Sequence, residues 1–316
     1  MATRAKKTPA KATDKPAASK KTAAKKRNTK TKSSTAKAAS ASTAKAKAAT
    51  VSTAVNKSTT KRVLTPLEKI RSLHISTFIS YVLLGLITAF LIGKASAEVL
   101  LGYQARDAFT NVEGVVLGSA SEVLFNLEYR YVLLAALVIG AVGSLFLATK
   151  LRKRYENSVN AGISGFRWVI YGLTTALVVE LVSFMAGVQD LMTLKVVAGL
   201  VLLAALLGWI SERENKGASS PKRLAYYSSI FAYFLSLLPV IGSFIGTTFY
   251  GDERFGWHVY ALAAVVLAGY VATLLVQKSS IVSKAKYEYV VFEQRYIRID
   301  QTVKFLAVLI LLAAIK

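Results

Sequence analysis

The chain has 316 residues, of which 53% are hydrophobic, and its apolar residues are concentrated in blocks long enough to cross a bilayer. It contains no cysteine and only two histidines, His74 and His258, which excludes disulfides and thiolate sites and argues against a histidine metal cluster. The net charge of +24 lies mainly at the N-terminus, because residues 1–71 hold 20 Lys and Arg against Asp14 and Glu68.

Residues 1–65 consist mainly of Ala, Lys, Thr and Ser, with almost no large apolar side chains. Such a segment cannot bury enough surface to offset its ordering entropy, so it is predicted to be a disordered cytoplasmic tail. It lacks the apolar core of a signal peptide. Anionic lipid headgroups, nucleic acid or solvent alone could surround it, and weak attraction to lipid is favoured. The tail has no aromatic residue to stack on bases, so any nucleic-acid contact would be electrostatic.

Residues 66–316 contain seven apolar blocks of about 17–25 residues, the length that a helix needs to cross about 30 Å of hydrocarbon. Backbone groups in lipid must be satisfied internally, so each block is predicted to be a transmembrane helix of an all-α membrane domain. Pro239 is expected to kink the fifth helix. The blocks are Leu73–Ile92, Tyr131–Thr149, Phe166–Gly187, Leu194–Ile210, Leu224–Phe249, Gly256–Val276 and Tyr296–Ile315.

The charges of the loops predict the orientation of these helices. If the tail is cytoplasmic, the loops on its side carry twelve further Lys and Arg, whereas the opposite side has six, diluted by eight acids. We therefore expect a protein of the cell membrane with its N-terminus inside and its C-terminus outside. The long outer loop Gly93–Arg130 is predicted to form a short hairpin, from β-prone residues around its glycines: Val112, Val115, Val116 and Leu117.

The seventh block is unusual because it carries Arg298, Asp300 and Lys304. A charged side chain at the bilayer centre costs at least about 2.5–3.5 kcal/mol, so its presence indicates a function. Asp300 and Lys304 are four residues apart, on one face of one helix. This spacing fits either a structural ion pair or a lysine amine that forms an imine with an aldehyde.

Three local motifs and the architecture resemble the heliorhodopsin family. Residues 160–171, NAGISGFRWVIY, are similar to the family's GINPFRWVEY entry to helix three. Residues 208–213, GWISER, resemble its GWLMER ending of helix four. Five residues near and within helix seven keep the family spacing of Tyr, Glu, Tyr-Ile and the retinal lysine: Tyr289, Glu293, Tyr296, Ile297 and Lys304. The resemblance covers about residues 70–316.

The resemblance implies a light-sensing protein that carries all-trans retinal on Lys304 as a protonated Schiff base. It also implies that three residues of helix three, Tyr171, Thr174 and Thr175, face the polyene. Three more, Arg167, Tyr289 and Glu293, would form a hydrogen-bonded network between the chromophore region and the cytoplasmic face. The family further implies a homodimer and a cytoplasmic signalling partner whose identity the sequence does not indicate.

This chain departs from the family at the counterion. The family places a glutamate in helix three where Ile170 stands here. A buried protonated Schiff base without a nearby anion would lose its proton, because desolvation disfavours the charged form. We hypothesise that Asp300 supplies the negative charge instead. The polar histidines of family helices one and two are replaced, by approximate alignment, by Tyr81 and Ser144.

Other interpretations remain open at this stage. One is a light-gated proton conductor, with Glu180 and Glu293 as acids of its pathway, although Glu180 is expected near the outer membrane boundary. Another is a copy that has lost retinal and serves as a membrane scaffold, with Asp300 and Lys304 as a structural ion pair and a tail that contacts lipid or nucleic acid. His74 is interpreted as an interfacial residue. Without a nucleophile–base pair, metal cluster or phosphate loop, the chain is not expected to be an enzyme.

Overall fold

The computed structural model describes residues 65–106, 117–251, 254–282 and 286–314. Apart from Thr65, the predicted disordered tail lies outside the described residues. Within them the chain forms eight helices and one two-stranded sheet. In chain order these are α1 (Pro66–Leu91), β1 (Ser96–Arg106), β2 (Leu117–Glu128), α2 (Tyr129–Ala148), α3 (Arg152–Asn160), α4 (Gly165–Met185), α5 (Leu191–Asn215), α6 (Leu224–Tyr250), α7 (Trp257–Val282) and α8 (Lys286–Ala314).

Six of these helices, α1, α2 and α4 to α7, are long and apolar enough to span a membrane. They contain the first six predicted blocks almost completely. Helix α8 is 29 residues long and contains the seventh block up to Ala314, but Arg298, Asp300 and Lys304 interrupt its apolar sequence. The predicted seventh span and the orientation of the bundle therefore stay predictions.

The helix boundaries follow from local chemistry. Thr65 caps α1, since its hydroxyl accepts a hydrogen bond from the Glu68 N–H while the Glu68 carboxylate accepts one from the Thr65 N–H. Pro66 occupies the first turn, where its missing N–H costs nothing. Pro239 lies inside α6, and the helix continues through it from Leu224 to Tyr250.

The helices pack around α4. Along its C-terminal half every residue from Val178 to Met185 is buried, and α2, α5 and α7 pack against its sides. Helix α8 lies between α1 and α7, which closes the bundle on the other side. A helix that is buried nearly all round occupies the centre of a bundle, so side chains of α4 and α8 can meet in the interior.

The hairpin is present but longer than expected. Strands β1 and β2 pair antiparallel from Ser96 opposite Glu128 to Arg106 opposite Leu117. Of the residues that suggested the hairpin, Leu117 is the first residue of β2. Val112, Val115 and Val116 are outside the described residues.

Asp190 anchors the hairpin to the bundle. Its carboxylate caps α5 by accepting hydrogen bonds from the Thr193 N–H and hydroxyl, both at 2.7 Å, and it accepts another from the Gly102 N–H at 3.3 Å. The bonds from Thr193 hold the pKa of Asp190 below its ordinary value.

Candidate chromophore site

Lys304 lies in the interior of the bundle, in a part of α8 whose other residues are mostly apolar. It is only 1% exposed, and its ammonium group forms an ion pair with the Asp300 carboxylate one turn earlier. The other oxygen of Asp300 accepts a hydrogen bond from the Tyr81 hydroxyl of α1 at 2.7 Å. Two helices therefore hold one buried amine against one carboxylate.

Ile170 stands where the family carries its counterion, and it faces the same region. A Cβ atom placed on Gly143 of α2 would lie 2.7 Å from Ile170 Cδ1, so this side chain packs tightly against α2. Ile170 and Asp300 also line a common cavity of about 40 Å³, together with polar side chains of four helices: His74, Thr77, Ser144, Arg167, Tyr171 and Tyr296. The carboxylate of α8 thus reaches the space that a helix-three acid would reach.

A line of narrow cavities extends from Lys304 toward Trp168. One, of about 20 Å³, is lined by Lys304, Asp300 and Val303, and the next, of about 10 Å³, by Trp168 and Tyr233. Their shared walls are Tyr171, Thr175, Tyr270 and Thr273.

The line ends at a buried amine beside a carboxylate, and its two cavities, of about 20 Å³ and 10 Å³, are smaller than a polyene aldehyde. The stacked rings of Tyr233 and Tyr270, whose centroids are 3.3 Å apart, both line the second cavity.

Thr174 lies apart from the line of cavities, and its contact with a polyene stays a prediction. Its hydroxyl donates to the carbonyl of Tyr171 at 3.3 Å, and its methyl group lies toward Gly140 of α2. It lines neither cavity beside Lys304, whereas Tyr171 and Thr175 line both. The reason is helical geometry, because successive residues of α4 project about 100° apart and only one of the two threonines can face α7.

A buried ionic network occupies the end of the bundle where α4 begins and α8 begins. Arg167 donates through Nε to Glu293 at 2.8 Å and pairs through its terminal nitrogen with Glu212. It lies 3.5 Å from the Tyr289 hydroxyl, which donates to Glu212 at 2.9 Å. The guanidinium also stacks over the ring of Tyr296, 3.8 Å from its centroid. One cation thus links two carboxylates from two different helices, α5 and α8.

The network continues to α3 and α1. The Tyr155 hydroxyl donates to Glu293 at 2.7 Å and lies 2.9 Å from Nε2 of His74, so the imidazole must donate this bond to the tyrosine oxygen. Ser164, just before α4, also donates to Glu293 at 2.8 Å. Burial raises the pKa of Tyr155, whose hydroxyl keeps its proton.

Comparison with known proteins decides the family. The sequence model of the heliorhodopsins matches residues 70–314, which is most of the chain. The chain belongs to the heliorhodopsin family. No curated protein matches it. Among solved structures it is similar to the transmembrane domain of the Salpingoeca rosetta rhodopsin phosphodiesterase, with 13% identity and a TM-score of 0.53, covering 78% of this chain and 84% of that one. At this identity the likeness concerns the fold alone.

Membership in this family supports a retinal-binding, light-sensing membrane protein with several spans. In heliorhodopsin terms, α4 is helix three and α8 is helix seven, because α3 is an additional short helix between the second and third spans. The motif residues Arg167, Glu212, Tyr289 and Glu293 meet in the buried network, and Lys304 lies farther along α8.

Three residues of the network were missed or misread in the sequence. Glu212 was visible only as part of the GWISER motif and was assigned no role. His74 is predicted to be interfacial, and its depth in a membrane stays a prediction; the structure adds that it is 5% exposed and hydrogen bonded to Tyr155. Tyr155 lies in a polar segment without apolar periodicity, and it is buried by tertiary packing against residues of α1, α2 and α8.

Glu180 lies away from the line of cavities. Its carboxylate pairs with Lys195 of α5 at 2.7 Å, and the lysine side chain is 62% exposed. Glu180 lies five positions before Met185, the last residue of α4, which is the end near the hairpin. It is not among the residues that line the cavities beside Lys304.

Proposed function

We propose that this heliorhodopsin is a light sensor in which all-trans retinal forms a protonated Schiff base with Lys304 and Asp300 is the counterion. The observation that carries the proposal is the buried amine of Lys304, paired with Asp300 at one end of an apolar line of cavities. A lone buried charge would be strongly disfavoured, and the neighbouring carboxylate compensates for it.

Each residue of the site has a separate task. Lys304 supplies the attachment point, and Asp300 holds a proton on that nitrogen. The Tyr81 hydroxyl donates to Oδ2 of Asp300, so that the other oxygen, Oδ1, faces the amine of Lys304. Tyr171 and Thr175 form the wall beside the polyene. The polyene supplies light absorption and isomerisation, which changes the distance between two charges in a low-dielectric site.

Sensing rather than pumping is supported by the uneven distribution of polar groups. On one side of Lys304, the cavity at Asp300 reaches Arg167, whose partners Glu212 and Tyr289 line an open cleft of about 480 Å³. On the other side along α8, the residues that face the interior are apolar and fully buried: Ala307, Val308 and Leu311. A pump needs polar groups on both sides, so this arrangement favours communication with one face.

We infer that this face is cytoplasmic, because the basic loops of the sequence adjoin it. On this basis the N-terminus is inside the cell membrane, and the cleft and network face the signalling partner. A homodimer is proposed from the family alone. The basic tail is proposed to attract anionic lipid weakly, or nucleic acid, through charge.

Two alternatives remain distinguishable. A light-gated proton conductor would use Glu293 and Glu180 as acids of its pathway. The polar groups around Glu293 favour such a role for this residue, but the apolar core separates Glu180 from Glu293. A retinal-free scaffold would use Asp300 and Lys304 as an ion pair only. Photocurrent under voltage clamp would indicate the conductor.

The deciding experiment is a visible spectrum of the full chain after addition of all-trans retinal. We expect a visible band that is absent in Lys304→Ala and retained in Lys195→Ala, a control that removes a lysine from the pair with Glu180. A folded wild-type protein that stays colourless would support the scaffold and reject retinal binding.

A further inference from the structure

His74 of α1 uses only one of its two ring nitrogens. The imidazole is 5% exposed. The Tyr155 hydroxyl donates its own proton to Glu293, so the hydrogen in the 2.9 Å contact between Tyr155 and His74 belongs to Nε2 of the imidazole. Nδ1 has no hydrogen-bond partner among the described residues. A buried imidazole without a direct anionic partner is neutral and carries a single hydrogen, so Nδ1 holds a lone pair that can accept a proton.

The imidazole adjoins the space in which Asp300 lies. His74 and Asp300 both line the cavity of about 40 Å³, and Tyr155, the partner of Nε2, is not among its walls. Asp300 also lines the cavity at Lys304 and pairs with its amine. About 10–15 Å³ is enough for one water molecule, so the larger cavity has room for a water-mediated path from the Asp300 carboxylate to the imidazole. Besides Asp300, its charged wall is Arg167 of α4. Its neutral polar walls are Thr77, Ser144, Tyr171 and Tyr296.

The charges beyond His74 favour a proton on its ring. Arg167 carries one positive charge, whereas Glu212 and Glu293 only accept in the hydrogen bonds of the network, as ionised carboxylates do. The network therefore has one negative charge in excess. A proton on His74 would compensate this charge through Tyr155, which is hydrogen bonded to both His74 and Glu293.

We propose that His74 is the proton acceptor of the light reaction, and that the proton which leaves the nitrogen of Lys304 on illumination is held at Nδ1 of His74. This inference rests on the proposed attachment of retinal to Lys304. The N–H bond at Lys304 breaks and leaves its electron pair on that nitrogen, while an N–H bond forms at Nδ1 and the imidazole becomes an imidazolium. One positive charge thus moves from the pair with Asp300 to the Arg167 network. Return of the proton along the same path restores the dark state.

The chain has only two histidines, so His74 is simple to observe. His258, near the start of α7, lines neither the cavity at Asp300 nor the two cavities from Lys304 to Trp168. His258→Gln is therefore the matched control, and it leaves His74 as the single imidazole. In this full-length variant prepared without retinal, nitrogen NMR of isotope-labelled histidine should show a hydrogen on Nε2 and none on Nδ1. Tyr155→Phe in the same background removes the acceptor of the Nε2 hydrogen and should populate both tautomers. A hydrogen on Nδ1 while Tyr155 is present would overturn the proposal.

The second measurement follows the proton in protein that carries retinal. In labelled His258→Gln, the infrared difference spectrum should gain an imidazolium band at the rate at which the visible band is lost on illumination. We expect His74→Gln to slow that loss about a hundredfold, which is the lower end of the usual contribution of a positioned base. His258→Gln should keep the wild-type rate.

The outcomes separate the acceptor from the attachment of retinal. Loss of the visible band without an imidazolium band in His258→Gln, an unchanged rate in His74→Gln, or a visible band that light leaves unchanged would overturn the acceptor alone. If His74→Gln is colourless in the dark, labelled His258→Gln decides, because it retains the native His74: an imidazolium band supports the proposal and its absence rejects it. A colourless wild type would instead reject the attachment of retinal.

Discussion

At the scale of single residues, we propose that Asp300 of α8 replaces the helix-three acid whose position Ile170 occupies by resemblance. Both side chains face one small cavity, so the negative charge stays near Lys304 although it comes from another helix. The change has a geometric consequence, because Asp300 and Lys304 share one helix and their separation is set by a single turn of backbone. A counterion on a neighbouring helix would instead depend on how two helices pack.

Asp300→Asn tests this assignment. Two unit charges about 4 Å apart interact by about 4 kcal/mol at an effective dielectric constant of about 20, which is equivalent to about three pH units. We therefore expect the midpoint of alkaline loss of the visible band to fall by about three units, and the band of the protonated form to move to longer wavelength. A pH titration of the spectrum measures both.

Glu180→Gln is the matched control, since it neutralises a buried carboxylate of α4 that pairs with Lys195 and not with Lys304. Its titration should overlay that of the wild type. An Asp300→Asn protein with unchanged midpoint and absorption maximum would show that another group carries the counter charge.

At the scale of elements, α4, α5 and α8 are joined by Arg167. Its guanidinium is 8% exposed and satisfies two carboxylates that are 2% and 0% exposed. Such a group contributes to the positioning of helices more than to net stability, because desolvation offsets much of the attraction. Removing only the cation is different, because it leaves two carboxylates buried together.

We expect Arg167→Gln to lower the free energy of unfolding by about 3–5 kcal/mol. Arg152→Gln is the control. It breaks the more exposed pair with Glu156 at i and i+4 and should cost only about 0.3–0.5 kcal/mol. Denaturant titrations of both purified variants, followed by circular dichroism, measure the difference. Equal losses would mean that the network does not hold the three helices together.

Elements differ in how far they could be predicted. The first six blocks coincide with helices because lipid-facing segments must be both apolar and internally hydrogen bonded. The hairpin was expected from β-prone residues near glycines, but its length was not, since the pairing of β1 with β2 is set across the whole loop. Helix α3 was missed, because its buried residues Tyr155 and Val159 stand alone in a charged segment.

At the scale of the whole molecule, the polar groups that adjoin the cavity at Asp300 lie on one side of Lys304. The cavity at Asp300, the Arg167 network and the cleft lie in sequence toward one end, whereas fully buried apolar residues occupy the core toward the other. Buried polar groups also occur toward the other end, at Thr88, Ser183 and Glu180, but none of them lines the cavity at Lys304 or the one at Asp300.

This asymmetry predicts that illumination produces no lasting pH difference across the membrane of reconstituted vesicles. A pH-sensitive dye inside the vesicles measures it, and a light-driven proton pump reconstituted in parallel establishes the sensitivity. A steady light-driven pH change that a protonophore abolishes would contradict the prediction and indicate transport.

The sequence by itself determined the membrane character, the family, and the pairing of Asp300 with Lys304 on one face of the last block. These features depend on composition and on spacing along one chain, where a charge in hydrocarbon is conspicuous. Only the tertiary structure decided that Tyr81 binds Asp300, that Thr174 turns away from the cavities, and that His74 and Tyr155 join the network. These contacts link residues up to 219 positions apart or depend on the rotation of a helix about its axis, and neither leaves a local signal.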